Sequence, residues 1–115
     1  MTDELVEPAQ WLALPDVADG LGVPITTVHQ MIRDRVLLAE RRDGILRIPV
    51  EMVAGETVLK HLPGVLTVLF DGGYSDKEAF RWLYTRDDTL PGVPITALNG
   101  DLAREVKRRA QALAF

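Results

Sequence analysis

Thr26, Thr27, Gln30 and Arg33 carry the donors and acceptors that read base edges in a nucleic-acid groove, and they recur along the stretch Ile25 to Arg35. At helical spacing Val28 and Ile32, with Met31 beside them, face inward and leave those four residues and His29 outward. On such a face glutamine suits adenine and arginine suits guanine through paired hydrogen bonds, but the residues themselves assign no base. Any amphipathic helix also has a solvated polar face, so the reading depends on what flanks it. Arg41 and Arg42 stand directly before Asp43-Gly44, and Arg47 follows on the other side. Arginine there meets phosphates or a narrow minor groove, although charge at a hairpin edge also serves solubility alone. Alternation sends Arg41 and Arg42 to opposite faces, so their tasks differ.

The elements that must position these side chains follow from the flanking sequence. Pro15 suits the first position of a short helix with Val17, Ala18 and Leu21 inward, and Gly22 supplies the turn after it. Pro24 stands where serine or threonine commonly caps the second helix, which is expected over 25–35. Leu37 to Arg41 and Ile45 to Ile48 flank Asp43-Gly44, a strong signal for a two-residue hairpin that ends at Pro49. Two short helices broken at a glycine and followed by a basic hairpin describe a helix-turn-helix with a β-wing over 11–50, the wing itself at 38–48.

Residues 1–10 are acidic and aperiodic and read as a mobile tail. Residues 51–115 read as a helical module. Its first helix is expected from Glu51 to His61, weakened by Gly55, and its second opens at Pro63 and stops at Asp71-Gly72-Gly73. Ser75 with Glu78 forms a capping box for a helix with Ala79, Phe80, Leu83 and Trp82 inward. After a loop over 85–94, one turn at Ile95 to Leu98 precedes a last helix capped by Asp101. That helix is expected to bury Leu102, Val106, Ala110 and Leu113 and to carry a basic cluster of Arg104, Lys107, Arg108 and Arg109. The fold class is therefore mainly α with a small β-hairpin wing, the winged helix-turn-helix packed on a C-terminal helical module.

Composition narrows the function classes. With 47% apolar and 26% charged residues the chain has the balance of a globular protein, and without cysteine it has neither disulfides nor a thiolate metal site. His29 and His61 lack a ligand pattern, and no cofactor or metal is expected. No nucleophile–base pair, phosphate-binding loop or dinucleotide fingerprint is present, so an enzyme is not expected. No apolar run is long enough to span a bilayer, and a cytoplasmic, nucleoid-associated location is expected. The net charge of −4 counts against nucleic acid until it is divided. Residues 1–24 hold five acids and no lysine or arginine, whereas residues 25–50 carry a surplus of +2. Local field decides where phosphates sit, and so small a surplus implies weak, salt-sensitive binding of double-stranded DNA.

Val17-Ala18, Leu21-Gly22-Val23, Thr27-Val28, Ile32-Arg33-Asp34, Leu38-Ala39, Arg41 and Arg47-Ile48-Pro49 resemble the MerR/excisionase type of winged helix-turn-helix. Leu62-Pro63-Gly64, Leu66-Thr67, Asp71-Gly72-Gly73-Tyr74, Arg81-Trp82-Leu83, Arg104-Glu105-Val106 and Arg108-Arg109-Ala110-Gln111-Ala112 narrow the likeness. Over residues 12–115 the chain resembles an actinobacterial winged-helix family that includes the mycobacterial substrate of Ser/Thr protein kinase L. The resemblance implies a cytoplasmic DNA-binding protein active in transcription or nucleoid regulation, with a Ser/Thr kinase as a further partner. Thr2 is the one hydroxyl in the tail to receive a phosphate. Trp82-Leu83, Pro94-Ile95, Ala97-Leu98, Gly100 and Glu105-Val106 more loosely resemble the toxin-binding region of antitoxins. That likeness keeps open a module that binds a protein partner, or a second copy of itself, through the C-terminal half.

Overall fold

The computed structural model describes residues 5–114. Strand β1 (Trp11–Ala13) runs straight into helix α1 (Leu14–Leu21), whose first turn holds Pro15. Gly22, at φ 68°, ends α1, and helix α2 (Ile25–Arg33) follows. Strands β2 (Glu40–Arg42) and β3 (Ile45–Pro49) form the wing, and β3 lies between β1 and β2 in an antiparallel sheet of order β1-β3-β2. Arg42 pairs with Ile45, so the connection is the two residues Asp43 and Gly44. Both have positive φ, 55° and 77°, the conformation that matches the twist of the flanking strands. The wing is shorter than expected at its start, because Leu37 and Leu38 are core residues at 0% and 4% exposure rather than strand. Helix α2 likewise stops two residues early, and Arg35 takes a left-handed backbone at φ 59°.

The helix expected over Glu51 to His61 is absent. In its place a single 3-10 turn (Val50–Met52) leads into strands β4 (Val53–Ala54) and β5 (Thr57–Val58), which pair across Gly55-Glu56. Gly55 sits at φ 66°, which a helix cannot contain, and the Thr57 hydroxyl donates to Ala54 O across the turn at 3.2 Å. Val53, Thr57 and Val58 are β-branched residues that suit the short ladder.

Helices α3 (Leu62–Asp71), α4 (Asp76–Leu83), α5 (Pro94–Ala97) and α6 (Ala103–Ala114) complete the chain, with α3 packed on both α4 and α6. Ser75 and Glu78 form the expected capping box. Helix α6 turns Ala103, Val106 and Ala110 inward, while Leu102 and Leu113, expected on that face, are 37% and 58% exposed. Leu102 precedes the first helical residue, and Leu113 extends the buried stripe beyond the core. One continuous core joins the halves, from Val17, Val28 and Ile48 to Leu66, Leu83 and Val106.

The segment expected as a tail is held by the body wherever it is described. Leu5 bridges to Thr85, Val6 N–H donates to Tyr84 O at 2.7 Å, and Ala9 N–H donates to Glu51 Oε2 at 2.8 Å. Thr2 lies outside the described residues.

Candidate nucleic-acid interface

Burying Val28 aims the rest of α2 outward. Thr26, His29, Gln30 and Arg33 are exposed, and Thr27 is half-buried. Arg33 donates to Gln30 Oε1 at 2.6 Å, and Gln30 Nε2 donates to Asp34 Oδ1 at 2.9 Å, so these side chains form a ladder along one face. The carboxylate of Asp34 ends the ladder and partly offsets the Arg33 charge. Pro24 provides no side-chain cap; Thr27 N–H donates to Pro24 O at 2.9 Å, and the Ile25 and Thr26 amides have no partner among the described residues and stay open to an external acceptor.

The wing arginines divide as strand alternation requires. Arg41 is exposed and donates to Gly44 O at 3.3 Å, close to the hairpin tip. Arg42 lies on the other face, its guanidinium 4.6 Å from the centre of the Trp11 ring, 3.1 Å from Glu40 and 3.7 Å from Glu7. Arg47 sits in the central strand opposite Ala13 and Glu40, half-buried, and its buried Nε has no hydrogen-bond partner among the described residues. Of the three, Arg41 is the exposed one, and it makes no ion pair among the described residues.

Trp11 begins a stack that the residue pattern did not reveal. Its ring lies 5.6 Å from Phe80, and Phe80 lies 4.7 Å from Tyr84. Tyr84 OH donates to Glu51 Oε1 at 2.8 Å. Arg35, just beyond the end of α2, reaches Asp76 at 3.3 Å and lies 4.2 Å from the Phe70 ring centre. The end of α2 and the wing sheet are thus both tied to the C-terminal half.

The comparisons with known proteins divide the chain at the β4–β5 hairpin. Residues 1–53 match the family described as "DNA-binding protein Rv2175c, wHTH domain", and residues 59–114 match the "Rv2175c C-terminal domain of unknown function". The protein named DNA-binding protein Rv2175c, from Mycobacterium tuberculosis (strain ATCC 25618 / H37Rv), is 42% identical over 127 residues, which span 98% of this chain and 87% of the relative. The chain belongs to the Rv2175c family. An NMR structure of Rv2175c superposes with a TM-score of 0.85 at 42% identity, again covering 98% of this chain and 87% of that one. The Rv2175c family therefore accounts for both halves in one order: winged helix-turn-helix first, helical domain second. Among the described residues no cluster of histidine or carboxylate side chains could hold a metal, and no helix is long and apolar enough to cross a membrane.

Proposed function

We propose that this chain binds double-stranded DNA as a transcriptional or nucleoid regulator, with α2 entering the major groove and the wing lying on the backbone or in the minor groove. The observation that carries the reading is the exposed row Thr26, Gln30 and Arg33 on the second helix of a winged helix-turn-helix. Its relative Rv2175c bears the name DNA-binding protein. Open amides at the start of α2 favour a phosphate beside the row, which fixes the depth of the helix in the groove. Thr27, half-buried, is placed for backbone rather than base contact. Arg41 is the wing's phosphate contact. Arg42 and Arg47, expected at the same surface, act mainly by holding the sheet that presents Arg41.

A gel-shift salt titration separates these roles. Arg41→Ala is expected to weaken binding to every duplex alike and to reduce the log–log salt slope by about 1. Arg33→Ala is expected to lose roughly 1–3 kcal/mol on the preferred sequence and little on others. An unchanged slope in Arg41→Ala would remove the wing from the interface, and no retardation of any duplex at low salt would remove the DNA reading itself.

A further inference from the structure

The basic cluster on α6 splits into two kinds of cation. Arg108 and Arg109 are both bound to Glu105, at 3.2 and 3.0 Å, and Arg109 also reaches Asp87 at 3.3 Å. Arg104 and Lys107 are exposed and make no ion pair or hydrogen bond among the described residues. They face a cavity of about 600 Å³ between the starts of α3 and α6, completed by His61, Gly64, Gly100, Asp101 and Ala103. Gly64 lies beside the Lys107 side chain, and a Cβ there would meet Lys107 Nζ at 3.7 Å, an ordinary contact. This volume lies in the usual range for small-molecule sites.

We propose that this cavity binds the phosphate group of a small phosphorylated ligand. Arg104 offers a planar fork and Lys107 a mobile point charge, the two modes by which side chains hold phosphate oxygens. The His61 ring adds a third donor at the rim. Asp101 is the one acidic group in the lining, and it accepts hydrogen bonds from hydroxyls on the ester portion. A phosphorylated sugar or polyol therefore fits the lining better than a bare polyphosphate, which Asp101 would repel. The site is separate from the α2 face and gives the C-terminal half a ligand of its own.

Ribose 5-phosphate is the probe, titrated into the full chain at constant pH and ionic strength, with ribose as the uncharged control. Amide NMR signals of Gly64, Gly100, Arg104 and Lys107 are expected to shift and saturate with ribose 5-phosphate and to stay still with ribose. Arg104→Ala with Lys107→Ala, both on an exposed helix surface, should weaken that binding about tenfold or more, and Lys77→Ala on α4 should not. Circular dichroism verifies that the double variant is folded, and Lys107→Glu provides an independent loss by charge reversal. Duplex affinity should be unchanged in the double variant. Absence of saturation, or saturation that survives the double variant, overturns the proposal. So does a silent ribose 5-phosphate titration combined with a loss of duplex affinity, which would assign these cations to the DNA backbone.

Discussion

The carboxylate of Glu51 accepts from Ala9 N–H with one oxygen and from the Tyr84 hydroxyl with the other, both at 2.8 Å. Tyr84 is 1% exposed, so its hydroxyl has no water to turn to. Tyr84→Phe keeps the ring stacked on Phe80 and removes only that bond, which should cost about 1–2 kcal/mol and lower Tm by roughly 4–8 °C. Burial first, and the Glu51 carboxylate second, push the hydroxyl well above its ordinary 10.0. The folded state therefore keeps a proton that the unfolded chain releases. Stability is whole below pH 10 and falls as pH rises beyond it, and urea titrations should find that alkaline loss smaller in Tyr84→Phe. None of this was legible in the residue pattern, because the partners are 33 positions apart and neither belongs to a motif. The outward residues of α2 were legible, since helical periodicity alone sorts them from Val28.

Where local chemistry decides an element, the sequence announces it. Ser75 with Glu78 marked the start of α4, and the structure has both bonds of the box, Glu78 N–H to Ser75 Oγ at 3.1 Å and Ser75 N–H to Glu78 Oε1 at 2.9 Å. Ser75→Ala should cost about 1 kcal/mol in thermal or urea unfolding. The Ser75 backbone N–H first, and its hydroxyl second, hold the Glu78 carboxyl below its ordinary 4.5. That stabilisation is present above pH 4.5 and is lost as pH falls through the lowered value; Ser75→Ala keeps the backbone N–H and removes only the hydroxyl's share, so its unfolding should be slightly less acid-dependent. Asp43-Gly44 was legible for the same reason, since two positive-φ residues in sequence permit little but a tight hairpin. Gly55 was misread because a single glycine tolerated in a helix and a glycine required by a turn look alike. The outcome depended on Leu59 N–H reaching Met52 O at 2.9 Å, a closure no window of sequence displays. Open space surrounds the Gly55 Cα, so Gly55→Ala should cost only the backbone penalty of about 1–2 kcal/mol, read as a lower urea midpoint.

At the scale of the molecule, two family units share one body. The Cα radius of gyration is 13.7 Å, close to the ~13 Å expected when a chain of this length packs as one domain. The links run through the rings from Trp11 to Tyr84, through Arg35 to Asp76 and Phe70, and through the core common to both halves. The Arg35–Asp76 pair is more than half exposed on both sides and adds little by itself, so the stacked rings and the shared core carry the coupling. The sequence led to the expectation that the two halves pack together but did not show which rings join them, because each aromatic residue also reads as ordinary core within its own half. The two tryptophans happen to sit on opposite sides of it, Trp11 in the wing sheet and Trp82 in α4. Trp82→Phe leaves a fluorophore reporting the wing sheet, and Trp11→Phe leaves one reporting the helical half. In urea, the fluorescence midpoint of each variant should coincide with its own far-ultraviolet circular dichroism midpoint, the behaviour of one cooperative unit. Separated midpoints in either variant would mean that the wing melts apart from the helices. A chain built that way would couple α6 only weakly to the outward row of α2, whereas coincident midpoints leave both surfaces on one frame.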